Sequence, residues 1–322
     1  MDTIELFAGC GGAALGLHAA GMRHRALVEL NPDACATMRA AGLKSVVQGD
    51  VRDLDAIAKV AGNQCDLIWS SWPCQPFSYS GELRVATDER NGWPWTIKAI
   101  DRFKPRWFVG ENVRGLLCHL GSQCPDASTC PRCYFDGVIL KQLRARFSFV
   151  GFFLLDAAEF GIPQFRRRVF VWAGPAPVAA PVATHSDPAA IKQSRMFAPS
   201  LQPWTTTASA LGCRVWKIDN NDTDKPTSMD RKTVEVSNRP SVTVAATYSF
   251  RSGGHMHCRD GGERIPLTVQ QLATLQDFPT GYPFVGSQSS KQRQIGNAVP
   301  PKLAEVVGRQ VLDADARLAV TV

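Results

Sequence analysis

Apolar residues of β-forming type recur in short runs through the first half of the chain, at 3–8, 25–30, 45–47, 66–71 and 106–110. Helix signals fall between them. Asn31 before Pro32 reads as an N-cap followed by the first helical residue, and Gly42 as the stop. Repeated β-α units of this length predict a parallel sheet covered by helices on both faces, a doubly wound α/β fold. Two further runs, 150–155 and 169–172, are close enough along the chain to pair antiparallel. After Ala173 the pattern breaks down. Residues 174 to about 236 are rich in Pro, Ala, Ser, Thr and Asp and read as a linker with part of a small irregular domain. Order is expected to return at 242–247 and to close in a helix over 301–318.

The 322 residues suffice for one large domain and a smaller one. No apolar stretch of spanning length is present, and no charged n-region precedes the first strand, so neither a membrane span nor a signal peptide is expected. A cytoplasmic location is expected, with the ten cysteines reduced. The net charge of +7 is unevenly placed: residues 1–66 hold 6 basic and 8 acidic side chains, which leaves the rest strongly basic. A polyanion such as DNA suits that distribution, although many basic proteins bind no nucleic acid.

Four stretches carry candidate chemistry. Phe-Ala-Gly-Cys-Gly-Gly at 7–12 follows the first strand and opens a helix, a turn that lets backbone approach a ligand. Glu29 ends the second strand, where a carboxylate can accept from both ribose hydroxyls, and Asp50 ends the third, where it can receive an adenine amino group. The turn lacks full GxGxxG spacing, which disfavours a dinucleotide. Ser-Trp-Pro-Cys-Gln-Pro-Phe-Ser at 71–78 places Cys74 between Pro73 and Pro76 on a loop at the end of the fourth strand. Glu-Asn-Val at 111–113 ends the fifth strand. Gln-Phe-Arg-Arg-Arg at 164–168 precedes the last strand, with Arg166 and Arg168 on one face by alternation. The bland readings are an ordinary turn with solvated carboxylates, an inert cysteine, a helix cap at Asn112 and a basic edge that discourages strand pairing.

Taken together and in this order, these stretches resemble the cytosine-C5 DNA methyltransferase family of prokaryotic and phage type, over nearly the whole chain. Residues 7–12 resemble its first cofactor motif, Pro73-Cys74-Gln75 its nucleophile motif, 111–113 its acid motif and 164–168 its Gln-x-Arg-x-Arg motif. Asp88-Glu89-Arg90 is similar to the stretch after its mobile catalytic loop, residues 238–250 to the motif that organises its recognition domain, and Gln-Ile-Gly-Asn-Ala-Val-Pro at 294–300 to its closing motif. Trp72 stands where the family usually has a proline, and Gln270-Gln271 where Arg-Glu is common.

The resemblance implies a class I methyltransferase Rossmann-like sheet domain with a small inserted target-recognition domain. Residues 1–173 and 263–322 would form the catalytic domain, and 174–262 would read double-stranded DNA. S-adenosyl-L-methionine would be held by Phe7, Gly9, Gly11, Gly12, Glu29, Asp50, Val51 and Asn297. Cys74 would add to C6 of a flipped-out cytosine, Glu111 protonate N3, Arg166 hold the O2 edge and Arg168 orient the loop and site. Residues 75 to about 92 would close on DNA. The alternatives are an RNA (tRNA) cytosine-C5 methyltransferase of the same fold and a non-catalytic DNA-binding module, which would need none of the four catalytic residues. A start so near strand one suggests a stand-alone, monomeric enzyme without an N-terminal regulatory domain. A cognate restriction endonuclease would be its natural companion.

Residues 118–133 look like an insertion. Cys118, Cys124, Cys130 and Cys133 are the expected ligands of one structural zinc ion, with His119 as a substitute, because a Cys-x-x-Cys turn presents two sulfurs to one metal. The segment holds too few apolar residues to order itself by burial. The spacing of the first two cysteines departs from the usual ligand pattern, and four plain thiols are the opposing reading.

Overall fold

A computed structural model describes residues 1–77, 85, 88–119, 130–194, 201–218, 233–246, 256–260 and 263–320. The chain forms two compact units. The first comprises Met1–Leu155, Arg167–Pro181 and Ala304–Val322; the second comprises Asp156–Arg166 and Val182–Leu303.

The first unit is the predicted α/β layer structure. Its strands are β1 (Asp2–Leu6), β2 (Arg23–Glu29), β3 (Val46–Gln48), β4 (Leu67–Ser70), β5 (Trp107–Val113), β6 (Phe149–Asp156) and β7 (Arg167–Gly174). They form one seven-stranded sheet in the order β3-β2-β1-β4-β5-β7-β6. The pairings β2–β3, β1–β2, β1–β4 and β4–β5 are parallel, and β7 runs antiparallel to β5. The strands read as continuous apolar runs because both faces are covered. Ala26 and Val28 pack with Ile57 and Ile97, from α3 (Leu54–Ala61) and α4 (Trp93–Phe103). Leu27, between them, packs on the other face with Ala14, Cys35 and Met38, from α1 (Gly12–Ala19) and α2 (Pro32–Ala40). Asn31 caps α2 as expected, its side chain accepting from Ala34 N at 3.0 Å. A helical run follows the insertion: α5 (Pro131–Tyr134), a π-helical stretch (Phe135–Leu140) and α6 (Lys141–Arg144). Phe135, Ile139, Leu140 and Leu143 anchor it in the core. The closing helix is longer than expected and is numbered after the elements of the second unit.

The second unit holds β8 (His185–Ser186), α7 (Pro188–Ser194), β9 (Gln202–Pro203), α8 (Thr207–Leu211), β10 (Trp216–Ile218), β11 (Thr233–Glu235), β12 (Met256–Asp260), β13 (Glu263–Pro266), α9 (Val269–Leu275) and α10 (Gln288–Asn297). Four of its strands form an antiparallel sheet, β11-β10-β12-β13. Where order is expected to return, Ser241 forms a bridge to Gln164 and 242–246 follow without regular secondary structure. The unit takes in 263–303, which the sequence reading groups with the sheet domain. The final helix, α11 (Pro301–Val320), begins in the second unit and lies in the first from Ala304 onward. There Asp315 accepts from the Trp107 indole at 2.8 Å.

Candidate active site

Strand order places the candidate residues of the first unit on one edge. Leu6, Ser70 and Gly110 are in register across β1, β4 and β5. Residues 7–12 and 71–77 therefore leave the carboxyl ends of β1 and β4, and 111–113 form the carboxyl end of β5. β1 and β4 also flank the point where the strand order reverses, where open α/β sheets bind ligands.

On the β1 side, Phe7 sits in the left-handed region with φ 59°, unusual for a side chain of its bulk. Gly9 (φ 56°) has no heavy atom within 4 Å of the position a Cβ would take. Its N–H donates to Glu29 Oε2 at 2.8 Å, while Asn31 N–H donates to Glu29 Oε1 at 2.7 Å. Glu29 thus pins the turn, and each oxygen retains a second lone pair. Asp50 accepts from the Arg52 N–H at 2.9 Å and from its guanidinium, which holds the Asp50 carboxyl below its ordinary value. Val51 is buried at 8 % exposure. An open backbone approach with two strand-end carboxylates able to accept more hydrogen bonds fits a nucleoside bearing a ribose diol and an amino group. Cys10 is unsuited to chemistry: burial drives its thiol strongly upward, away from the thiolate.

On the β4 side, Trp72 is the residue that fixes the Cys74 loop. Its ring is buried against Trp93, with centroids 5.2 Å apart, and its carbonyl accepts from Asn112 Nδ2 at 3.1 Å. Asn112 thereby ties the end of β5 to the loop, which replaces the cap role open to it in the sequence. A Cβ on Gly92 would lie 2.6 Å from Phe7, 3.0 Å from Pro73 and 3.0 Å from Trp72, so only glycine admits this junction of the β1 turn with the Cys74 loop. Cys74 is half-buried, and Phe77 N–H closes the turn onto its carbonyl at 2.9 Å.

Glu111 and Arg168 meet across β5 and β7. Val113 pairs with Arg168 and Glu111 with Phe170, and the Arg168 Nε lies 3.0 Å from Glu111 Oε1 with both side chains about nine-tenths buried. Arg166 belongs to the second unit and is 1 % exposed. Its guanidinium donates to the carbonyls of Gly296 at 2.8 Å, Ala298 at 2.9 Å and Val244 at 3.4 Å. The first two of these carbonyls flank Asn297, the last residue of α10. Gln164 extends the same node, donating to Leu275 O and Gln276 Oε1, while Gln276 donates to Ala298 O. Gln271 supplies a capping box with Thr268 at the start of α9, so this position is met with neutral hydrogen bonds and no charge pair.

In the insertion, one ligand atom from each of His119, Cys130 and Cys133 lies within 4.8 Å of the others. Cys130 Sγ is 3.8 Å from His119 Nδ1. Cys118 stands outside the group, its thiol turned to the Arg114 carbonyl at 3.7 Å. Cys124 lies outside the described residues, as do most of 78–87 and much of 219–255. The parts that sequence reasoning missed are Trp72, Gly92, Arg52 and Asn91. A tryptophan in place of a proline was the only available signal for the first, and none marked the other three.

A profile of the C-5 cytosine-specific DNA methylase family matches residues 1–177 and 184–313. Type II methyltransferase M.NaeI of Lentzea aerocolonigenes is 30% identical over 97% of this chain and 74% of its own length. Type II methyltransferase M.NgoMIV of Neisseria gonorrhoeae is 30% identical over 97% of both chains. Among solved structures, S. pombe Dnmt2 superposes with a TM-score of 0.68 at 16% identity, covering 99% of each chain. Entamoeba histolytica EhMeth reaches 0.64 at 13% identity, covering 97% of this chain and 98% of its own. At such identity these two speak for the fold alone.

Proposed function

Since this chain belongs to the C-5 cytosine-specific DNA methylase family and is a DNA (cytosine-5-)-methyltransferase, we propose that Cys74, Glu111 and Arg168 carry its chemistry. The observation that carries this reading is the buried Glu111–Arg168 pair, one strand from the Cys74 loop. The target base must leave the duplex stack to reach such a site. The Cys74 thiolate forms a bond to C6, and the C5–C6 π electrons shift so that C5 becomes nucleophilic. Glu111 donates a proton to N3 as negative charge develops there, and the carboxylate that remains is stabilised by Arg168 at 3.0 Å. C5 takes the methyl group, gives up its proton to water, and re-forms the double bond as Cys74 departs as thiolate and N3 returns its proton to Glu111. The product is 5-methylcytosine.

S-adenosylmethionine, the cofactor the family implies, supplies an electrophilic methyl group when bound. Glu29 and Asp50 would hold its ribose and adenine, with Phe7, Gly9, Gly11, Gly12 and Val51 forming the surrounding turn and wall. We place Arg166 differently from the sequence expectation. With its N–H groups on three carbonyls, it acts as the clamp of the segments beside Asn297.

Double-stranded DNA is the substrate, and residues 174–262 are the part that reads its sequence. The type II names of the relatives support a role as the modification arm of a restriction-modification pair. Among the described residues no helix is long and apolar enough to cross a membrane; a cytoplasmic place beside the nucleoid fits the DNA substrate. The insertion holds one structural zinc ion. Zinc bonds of about 2.3 Å to sulfur and 2.0 to 2.1 Å to nitrogen, meeting at tetrahedral angles, set ligand atoms roughly 3.5 to 3.8 Å apart. The Cys130–His119 separation of 3.8 Å suits that geometry.

The decisive experiment uses duplex DNA in which every cytosine is 5-fluorocytosine, so that no target sequence need be known. Fluorine cannot leave C5 as a proton does, and the protein should remain covalently attached to the DNA. Cys74→Ala should abolish both attachment and methyl incorporation into ordinary DNA. A Cys74→Ala protein that still methylates cytosine would overturn the mechanism.

A further inference from the structure

The sequence gives the metal cluster no link to the chemistry, but the structure joins the two through one side chain. Tyr134 follows the ligand Cys133 directly and is 4 % exposed. Its ring stacks obliquely on Phe77, three residues after Cys74, with centroids 5.9 Å apart. Its hydroxyl accepts from Asn91 Nδ2 at 2.8 Å. The same amide donates to the Val85 carbonyl at 3.0 Å, and Asn91 Oδ1 accepts the Trp93 N–H at 3.1 Å. Phe77 and Val85 are fully buried, and Asn91 is 5 % exposed. Tyr134 therefore touches Phe77, shortly after the nucleophile, and Asn91, whose amide also holds the Val85 carbonyl.

The cluster draws its ligands from two arms. His119 comes from the segment after β5, whose turn at Arg114–Leu117 lies against the Phe77 carbonyl. Cys130 and Cys133 come from the start of α5. Between Cys118 and α5 runs one long backbone hydrogen bond, Arg132 N to Cys118 O at 3.3 Å. Core packing holds the whole helical run, Tyr134 included, and its first turn also supplies two of the three ligands. Binding energy of a metal at such a site is ordering energy for the segment that supplies the ligands.

We propose that the metal bound by His119, Cys130 and Cys133 fixes Tyr134 as a positioning residue for Cys74, through the Tyr134–Asn91 hydrogen bond and the Tyr134–Phe77 contact. The inference rests on the metal reading given above. Its effect belongs in the step that forms the covalent bond, not in cofactor affinity.

The test measures three quantities on the full chain: zinc per protein by elemental analysis, affinity for S-adenosylhomocysteine, and the rate of covalent attachment to the 5-fluorocytosine duplex. Tyr134→Phe removes only the hydroxyl. It should keep about one zinc and the wild-type cofactor affinity, and attach roughly 10-fold more slowly, a loss typical of one positioning hydrogen bond. Cys133→Ser should lose zinc and slow attachment at least as much. The double variant should be no slower than Cys133→Ser, because residues acting in one chain are not additive. Stripping zinc from wild-type protein with a chelator and restoring it gives the same comparison without a substitution, should Cys133→Ser fail to fold. Zinc-loaded wild type with Tyr134→Phe attaching at the wild-type rate, or with fully multiplicative effects in the double variant, overturns this inference and leaves the metal site standing. Wild type that is purified and reconstituted without zinc yet attaches normally overturns both.

Discussion

Each compact unit buries an arginine of the same short stretch, and the two are met in opposite ways. The first sets Arg168 against a carboxylate, Glu111, at 3.0 Å. The second sets N–H groups against backbone carbonyls and amides: Arg166 on Gly296 and Ala298, Gln164 on Leu275 and Gln276. Arg166 and Arg168 stand two positions apart and fall on opposite sides of this divide. A carboxylate can change its protonation state during a reaction and a peptide carbonyl cannot. The first pattern therefore suits a site where charge develops, and the second a scaffold that must hold one shape.

Substitutions at the charged pair should break the comparison most visibly. Glu111→Gln should lower kcat by about 10² to 10⁴, the range for losing a positioned acid, while its amide oxygen still accepts from Arg168 and limits the loss of stability. Arg168→Ala should lower the rate less, by roughly 10²-fold, since the acid remains but its conjugate base loses its partner. Arg166→Ala should do the reverse. It takes this donor from the carbonyls of Gly296 and Val244, leaves Ala298 O with Gln276, and should cost about 2 to 4 kcal/mol of stability, seen in denaturant unfolding. An Arg166→Ala protein of wild-type stability would erase the distinction between the two arginines.

Smaller effects sharpen the contrast within the first unit. Glu29→Ala removes the acceptor of two backbone N–H groups and of the expected ribose hydroxyls. S-adenosylhomocysteine binding should weaken by about 1 to 3 kcal/mol in calorimetry. Smallest is a pH effect. Burial, and then the nearby His24, hold the His18 imidazole below its ordinary value, and His18 Nε2 lies 2.9 Å from His24 Nδ1. A depressed folded value means the stability is fully present above the unfolded value of about 6.5 and is lost as pH falls below it. Glu5, pushed up chiefly by burial, takes up a proton more readily in the fold and opposes that loss. The unfolding midpoint of His18→Gln should therefore fall less than that of wild type between pH 7 and pH 5.

Much of the first unit was legible because strands buried on both faces leave unbroken apolar runs, and caps such as Asn31-Pro32 mark where helices begin. Cys74, Glu111 and Glu29 were legible as strand-end residues for the same reason. The second unit was far less so. Its strands run two to five residues, too short for alternation to register, and α10 has few apolar positions to set a period. Arg166 illustrates the limit. Alternation placed it on the face of Arg168, but its partners lie 78 to 132 positions away in the chain, where no local pattern reaches. His119 and not Cys118 lies beside Cys130 and Cys133 for a related reason: spacing names a neighbourhood, and the local turn decides which of two adjacent side chains faces it.

Gly92 bears on how sequence variation in this enzyme should be interpreted. It contacts neither base nor cofactor through a side chain, yet Phe7, Trp72 and Pro73 all converge on the space it leaves. In a saturation mutagenesis screen, nearly every replacement there would score as inactive, and the position would be mistaken for a catalytic one. Second-site suppressors would tell the difference. A lost reacting group has none, whereas an intruding methyl at Gly92 should be relieved by a smaller residue at Phe7 or Trp72, so that the three positions drift through evolution as a set.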